Sequence, residues 1–200
     1  MPIRPATEKD VQAVAVIHKQ QFSTHFLGQY STTLLAGLYR EFLGETCFLV
    51  HETESGIDGF IVGGHAGRIA AARAAFVRRQ AWRCAWETLL RPQLWLQGFQ
   101  RGMAALKPAR HHAETVPQEP AGPSCSLLSV AVAGRAVGSG AAAELVREFD
   151  RSLLPWTAAY RLSVEKDNAR AIRFYEKMGC IRIGQGGGAI EMRKELRGST

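Results

Sequence analysis

The chain has 200 residues, of which 46% are hydrophobic and 22% charged, and it carries a net charge of +7. These proportions exclude wholesale disorder, and the length predicts a single domain over residues 1–200. No segment reaches the about 18 apolar residues of a bilayer span, and the first residues lack the apolar run of a secretory signal. We therefore expect a cytoplasmic protein.

The four cysteines are scattered along the chain, with no C-x-x-C spacing. They are Cys47, Cys84, Cys125 and Cys180, each among apolar or small neighbours. This pattern predicts buried, reduced thiols rather than disulfides or zinc ligands. No metal site is expected.

The first 45 residues predict a strand followed by two helices. A short strand is expected at Ile3. Thr7 and the acidic residues after it are typical of a helix N-cap, and apolar residues from Val11 onward recur at helical spacing. Ser31 is placed to cap a second helix, which Gly44 would end.

A hairpin and a helical segment follow. Apolar runs at 46–51 and 57–63 flank a polar turn and predict two antiparallel strands. Residues 66–107 are rich in Ala and Arg and are interrupted by Pro92, which predicts two helices. The four prolines of 108–124 predict a loop.

The positive charge is concentrated in residues 66–110, which hold nine basic residues and one acid, Glu87. The segment carries +8 and the rest of the chain −1. Three of the four tryptophans, Trp82, Trp86 and Trp95, fall here. The segment is a candidate contact for an anionic ligand or a membrane surface, and less so for nucleic acid. The alternative is a solvated helix face whose tryptophans pack inward.

The last third alternates strands and helices. The predicted elements are a strand at 126–132, a helix opening at Gly138-Ser139-Gly140, a strand at 160–165, a helix at 168–178, and strands at 181–183 and 189–194.

The glycine turn after the first of these strands predicts an anion site. Glycines let backbone N–H groups approach an oxyanion, and a helix N-terminus adds partial positive charge. Gly138 to Ala143 also fits the dinucleotide pattern G-x-G-x-x-A, with Glu165 as the ribose acid, so a nicotinamide-binding protein is an alternative. A plain structural turn is another.

The helix at 168–178 carries a more specific pattern. Residues 165–180 read EKDNARAIRFYEKMGC. They resemble the N-x-x-A-x-x-F-Y-E-K-x-G-F signature of GNAT N-acetyltransferases, with Cys180 in place of the usual Phe. Together with the upstream R-x-x-G-x-G at 135–140, both halves of that family's cofactor site are present in order. The resemblance implies an α/β (α+β) fold, with a mixed, mostly antiparallel central sheet, splayed parallel strands 4 and 5, and helices on both faces.

The resemblance also implies roles for individual residues. Tyr175 would protonate the departing CoA thiolate, and Asn168 would hydrogen-bond the cofactor. Residues 135–140 would hold the pyrophosphate, and the strand Ser129 to Val132 would pair with the pantetheine amides. The implied cofactor-binding residues are Val130, Ala131, Val132, Arg135, Ala136, Val137, Gly138, Ser139, Gly140, Asn168, Ala171 and Phe174.

Two features of this site stay open. The family has about four residues between its strand-ending Val and the loop Arg, whereas Ala133 and Gly134 alone separate Val132 from Arg135. Either the loop is shortened by two residues, or Val130 ends the strand. The thioester carbonyl needs a polarising backbone N–H, expected from Ala131 or Val132.

The implied activity is transfer of an acetyl group from acetyl-CoA to a primary amine by direct attack. The acceptor is open between a small molecule, an amino sugar and a protein amine, and a homodimer is also open. A non-catalytic acyl-CoA sensor is an alternative. No general base is selected from the candidates Ser163, Glu165, His18, His25 and His65.

Overall fold

The computed structural model describes residues 3–23, 27–89 and 125–196. The strands are β1 (Ile3–Pro5), β2 (Cys47–Thr53), β3 (Gly56–His65), β4 (Cys125–Val132), β5 (Ala159–Glu165), β6 (Ile181–Gly186) and β7 (Ala189–Glu195). The α-helices are α1 (Val11–Gln21), α2 (Thr32–Phe42), α3 (Ala66–Leu89), α4 (Ala141–Leu153) and α5 (Ala169–Lys177).

The described strands form one seven-stranded sheet in the order β1-β2-β3-β4-β5-β7-β6. Each neighbouring pair is antiparallel except β4 and β5, which run parallel. The predicted fold class is therefore confirmed. The nicotinamide alternative requires consecutive parallel βαβ units, and this topology does not support it.

Helices cover both faces of the sheet and enclose two hydrophobic cores. The first core packs α1, α2 and α3 against β2 and β3, and includes Phe48 and Phe60. The second packs α4 and α5 against the opposite face, and includes Ile61 and Phe149. The strand period of two explains the division, since Phe60 and Ile61 are adjacent and point to opposite faces.

The start of α1 differs from the prediction, because Thr7 does not cap the helix. The helix begins at Val11, and its first turn holds no acidic residue. The backbone N–H and the hydroxyl of Thr7 both donate to the Asp10 carboxylate at 2.8 Å. Arg4 donates to both carboxylate oxygens, at 2.7 and 2.9 Å. Asp10 is itself the N-cap residue, whose carbonyl accepts from the Val14 N–H at 2.9 Å, while its side chain ties β1 to the turn before α1.

The remaining helix predictions are confirmed where the structure describes them. Ser31 caps α2 by accepting from the Leu34 N–H at 3.2 Å, and Gly44 follows the helix with a φ of 75°. Glu87 of α3 accepts from the backbone N–H of Ser31 at 2.8 Å and also from its hydroxyl. The second predicted helix and the proline-rich loop lie outside the described residues.

The hairpin of β2 and β3 is confirmed, and β3 meets β4 at a β-bulge. Val62 pairs with Ser129 and Gly63 with Leu127, so Leu128 is the extra residue of β4. A Cβ at Gly63 would lie 2.5 Å from the Ser126 carbonyl oxygen, which explains the glycine. Leu128 packs on the first core and Val130 on the second, so strand alternation puts the Ser129 side chain on the face of the first core as well.

All four cysteines are free thiols, and the predicted burial is confirmed for two of them and wrong for the other two. Cys125 and Cys180 are buried, whereas Cys47 and Cys84 are partly exposed. Burial raises the pKa of both the Cys47 and the Cys180 thiol to about 11, so these groups are not nucleophiles at neutral pH.

Asp10→Asn should destabilise the fold by about 1–3 kcal/mol, because it weakens the bidentate bond to Arg4. The hydrogen bonds from Arg4 lower the pKa of Asp10 from 3.8 to about 2. Since the folded pKa lies below the unfolded one, this contribution is complete above about pH 4 and is lost as the pH falls towards 2. Urea unfolding at several pH values measures both effects.

Glu8→Gln is the matched control, because Glu8 forms an exposed ion pair with Arg40 at 2.6 Å. This substitution should lower the free energy of unfolding by less than about 1 kcal/mol. Equal costs for the two variants at pH 7 would contradict the role given to Asp10.

Candidate functional site

A cavity opens where β4 and β5 separate. Within the described strands, their pairing consists of Cys125 with Tyr160 and Ser126 with Arg161. Beyond these pairs the strands diverge, and a cavity of about 520 Å³ lies between them. The predicted splay of strands 4 and 5 is thus the structural origin of the pocket.

The structure brings eight of the predicted site residues to this cavity. Those that line it are Val130, Ala131, Val132, Val137, Asn168, Ala171, Phe174 and Tyr175. One wall is the end of β4 and the other is the exposed side of α5. Segments 43 residues apart in sequence, from Val132 to Tyr175, therefore meet across one opening.

The backbone of β4 presents alternate residues to the cavity. The Ala133 N–H donates to the Asp58 carbonyl of β3 at 2.7 Å. In a regular strand the polar groups of Ala131 then face β3 as well, and those of Val130 and Val132 face the opening. Of the two predicted donors to a bound carbonyl, this geometry favours the Val132 N–H over that of Ala131.

β4 continues to Val132, so the loop that follows it is the shortened one. A 3₁₀ turn, Gly134–Ala136, leads directly into the glycine turn. Gly138 and Gly140 have φ values of 87° and 95°, and an added Cβ at either would meet no atom within 4 Å. The Ser139 hydroxyl accepts from the Ala141 N–H at 3.3 Å.

The glycine turn fits an anionic group. It stands at the N-terminus of α4, whose first-turn N–H groups lack acceptors within the helix. The open space in front of Gly138 and Gly140 leaves those groups accessible, and Val137 and Ala142 on either side of the turn line the cavity. A phosphate at this end and a long chain between the strands would suit the shape.

Arg135 lies next to the turn but is directed away from it. Its Nη2 donates to the carbonyl oxygen of Ile57 at 3.1 Å and lies 3.5 Å from that of Ser55. Together with the Ala133 bond to Asp58, these contacts fasten the loop to the β2–β3 hairpin. Its predicted contact with a pyrophosphate stays a prediction.

Asn168 caps α5 and lines the cavity at the same time. Its Oδ1 accepts from the Ala171 N–H at 3.0 Å. The side-chain NH₂ group is a separate donor, so the cap leaves Asn168 able to bind a carbonyl in the cavity. Capping of α5 and the predicted ligand role of Asn168 are therefore compatible.

Tyr175 is partly buried, and its ring packs beside Phe174 with centroids 5.3 Å apart. Burial raises the pKa of Tyr175 well above its usual range, and the thiol of Cys180 adds to this. The side chain therefore stays protonated at neutral pH and can act as a hydrogen-bond donor.

Several cavity residues were not found from the sequence. Gln21 and Phe22, at the end of α1, line the opening on the side opposite α5. Leu128 and Ala142 also contribute. No local pattern marks Gln21 and Phe22, because their position depends on how α1 crosses the sheet.

The general-base candidates differ in position. Ser163 and Glu165 of β5 line the cavity. His65 ends β3 and pairs with Cys125, at the opposite end of β4 from Val132. His18 is buried in the first core, beside Tyr39. His25 lies outside the described residues.

In the described part of the chain, no group of three or more His, Cys, Asp or Glu side chains could hold a metal ion. No helix there is long and apolar enough to cross a membrane.

Of the basic segment, the structure describes α3, where Trp82 and Trp86 are 67% and 58% exposed. These tryptophans do not pack inward, and Arg79 pairs with Glu41 at 2.8 Å.

Solved structures with the same fold come from several organisms. SsHAT is similar over 98% of both chains, with a TM-score of 0.67 and 20% identity. PaiA N-acetyltransferase of Thermoplasma acidophilum, solved in complex with coenzyme A, is 14% identical over 96% of this chain and 97% of that one, with a TM-score of 0.56. Ribosomal-protein-alanine N-acetyltransferase of Brucella melitensis is 19% identical over 98% and 99%, also at 0.56. These similarities show that the chain has the same fold as these proteins.

A comparison with curated protein sequences found no match. The sequence model of the acetyltransferase (GNAT) family matches residues 71–180, more than half of the chain. The match spans β4, the glycine turn and α5, which are the elements that form the cavity. The chain therefore belongs to the acetyltransferase (GNAT) family.

Proposed function

We propose that this protein is an N-acetyltransferase that moves an acetyl group from acetyl-CoA to a primary amine by direct attack. The observation that carries the proposal is the cavity between β4 and β5. It extends from a glycine turn at a helix N-terminus to the partly buried phenol of Tyr175. Family membership and the coenzyme A complex of a structural neighbour support the choice of donor.

The diphosphate of the donor would lie at the glycine turn. The N–H groups of Ser139 and Ala141 donate within the turn, so those of Gly138, Gly140 and Ala142 would offer the hydrogen bonds, and the helix N-terminus would add partial positive charge. The pantetheine amides would pair with the free backbone groups of Val130 and Val132, as an added strand pairs at a sheet edge. Asn168 would hold the chain from the opposite wall.

The chemistry would occur at the Tyr175 end of this cavity. A thioester supplies an electrophilic carbonyl, whose oxygen the Val132 N–H would polarise. Tyr175 would donate its hydroxyl proton to the departing sulfur. Its raised pKa makes complete transfer to a thiolate of pKa about 8.5 unfavourable until the C–S bond is substantially broken. A late, concerted donation is therefore expected.

The acceptor would enter beside Gln21 and Phe22, since the donor occupies the space between β4 and α5. Phe22 offers an apolar surface and Gln21 a polar one, while Glu165 of β5 adds a carboxylate to the lining. This composition suits an amine on a short carbon chain, though a peptide terminus would fit the same description.

The alternative is an acyl-CoA sensor that binds the donor without turnover. Calorimetry with acetyl-CoA and NAD, and CoA release with spermidine, lysine, glucosamine 6-phosphate and an alanine-initiated peptide, separate the two functions. We expect binding of acetyl-CoA but not NAD, and turnover of at least one amine. Binding with no turnover of any amine would favour the sensor.

Gly140→Ala should weaken acetyl-CoA binding about tenfold, because the new Cβ enters the space in front of α4 and strains a residue with φ of 95°. Gly44→Ala is the matched control. Gly44 also has a positive φ and open surroundings, but it lies at the end of α2. The Gly44→Ala variant should bind acetyl-CoA as tightly as the wild type does. Both variants should lose similar amounts of stability. Equal affinities for all three proteins would contradict the assignment of the turn.

Tyr175→Phe should lower kcat by about 100-fold with little change in the Kd of acetyl-CoA, because only the departing sulfur needs the hydroxyl. Since its pKa is raised, Tyr175 keeps its proton past about pH 10, the usual tyrosine value. The pH profiles of kcat for the wild type and for Tyr175→Phe should therefore have the same shape near pH 10. An unchanged kcat would refute the role of Tyr175.

A further inference from the structure

α3 exposes a stripe of large apolar side chains near its C-terminal end. Trp82, Trp86 and Leu89 are 67%, 58% and 57% exposed. Positions i, i+4 and i+7 lie on one side of a helix, so the three side chains are neighbours. The side of α3 that packs on the first core holds Ile69 and Phe76 instead. Large apolar side chains grouped in water are typical of a surface that binds a partner.

Three of the five arginines of α3 have no acidic partner among the described residues. The other two form ion pairs, Arg68 with Glu45 and Arg79 with Glu41. The one acid of the helix, Glu87, accepts hydrogen bonds at the start of α2. The arginines without an acidic partner are Arg73, Arg78 and Arg83. The described fold therefore leaves a positive charge on this helix that a ligand could neutralise.

Two of these arginines lie beside the apolar stripe. Arg78 is one turn before Trp82, and the guanidinium carbon of Arg83 lies 5.4 Å from the centre of the Trp82 ring. A guanidinium over an indole face keeps its charge in water while its stem covers apolar surface. Tryptophans next to arginines on one helix face are typical of helices that lie among the headgroups of a membrane.

The stripe lies at the end of the helical layer that borders the cavity. The hydroxyl oxygens of Thr88 in α3 and of Tyr30 are 3.1 Å apart. Lys19 of α1 donates to the carbonyl oxygen of the same Tyr30 at 2.6 Å. Gln21 and Phe22, which follow Lys19 along the chain, line the cavity. The C-terminal ends of α1 and α3 are therefore neighbours, on the side where the cavity opens.

We propose that the α3 surface formed by Arg78, Trp82, Arg83, Trp86 and Leu89 docks the protein on an anionic membrane. The two arginines would pair with lipid phosphates. The indole rings and Leu89 would enter the boundary between the headgroups and the acyl chains. Docking in this way goes beyond acetyl transfer, and it would hold the cavity opening near the membrane surface.

A membrane fits this surface better than a second copy of the chain or a nucleic acid. Two copies of the surface would bring the arginines of one chain against those of the other, and like charges repel. A nucleic acid would satisfy the arginines and stack on the indoles, but it offers no apolar phase for Leu89. An anionic bilayer offers phosphates at its surface and acyl chains beneath them.

The test is co-sedimentation of the full chain with vesicles of equimolar phosphatidylcholine and phosphatidylglycerol, and with vesicles of phosphatidylcholine alone. The anionic vesicles should bind the protein at least about tenfold more tightly, because phosphatidylglycerol attracts the arginines. Salt should weaken this binding, since the screening length falls from about 10 Å at 0.1 M to about 3 Å at 1 M. No binding to the anionic vesicles at low salt would overturn the proposal.

Combining Arg78→Gln with Arg83→Gln should weaken binding to the anionic vesicles about 25-fold, since each arginine near an anionic surface contributes about fivefold. The matched control combines Arg147→Gln with Arg151→Gln. It removes the same charge from α4, on the opposite face of the sheet, and should bind as the wild type does. Equal losses in the two double variants would show unoriented adsorption of a basic protein and would overturn the docking surface.

Trp82→Ala should also weaken vesicle binding at least about tenfold, because an indole that enters the membrane leaves water. Trp156→Ala is its control, since Trp156 is 73% exposed and follows α4, away from this surface. That variant should keep the wild-type affinity, and an equal loss there would contradict the proposal. Both side chains are exposed, so thermal unfolding should stay unchanged.

Two other outcomes would assign the surface to a different partner and overturn membrane docking. One is binding of single-stranded DNA that the arginine double variant of α3 loses, without vesicle binding. The other is a dimer in sedimentation velocity that Trp82→Ala dissociates, again without vesicle binding. CoA release with the amine panel is measured separately. Failure of the proposed function would therefore leave the vesicle result intact, and the reverse holds as well.

Discussion

The separation of β4 and β5 is the constraint on which the rest of the structure depends. Two residue pairs join the strands, and past them the sheet consists of two halves. β1 to β4 form one half, and β5, β7 and β6 the other. β4 pairs with β3 along its length, and Tyr160 and Lys194 of the second half both bond Asp150 of α4, a helix that contacts β2 and β3 of the first half. α4 therefore links the two halves of the sheet on one face, beside the opening.

This arrangement gives the two walls different chemical characters. The β4 wall offers backbone groups, which are fixed by the pairing with β3 and cannot change rotamer. The α5 wall offers side chains, of which Asn168 is held by its cap and Tyr175 by packing against the second core and Phe174. A preorganised wall of each kind suits a substrate that is a long amide-bearing chain with one reactive end, because binding and chemistry are then separated along its length.

Much of this site could be predicted from the sequence, because its main signals are local. Glycines at 138 and 140 imply a turn with positive φ, and Asn168 begins a helix with a specific pattern. The contribution of Gln21 and Phe22 could not be predicted, since it depends on the path of α1 over the sheet. The contact of His18 with Tyr39 joins residues 21 positions apart in different helices, and no periodicity encodes it. The prediction of an N-cap at Thr7 was wrong because the Asp10 carboxylate has a stronger partner in Arg4.

The bulge at Leu128 makes the two faces of β4 mutually dependent. Without the extra residue, every position after it would exchange faces, and Ser129 would turn towards α4 while Val130 turned towards α2. The same change would redirect the backbone groups from the opening to β3. One residue therefore sets both the side-chain pattern and the backbone pattern of the strand. Insertions or deletions in β4 cannot adjust this site gradually, so diversification within the fold must proceed by substitution there and by length changes in the loops.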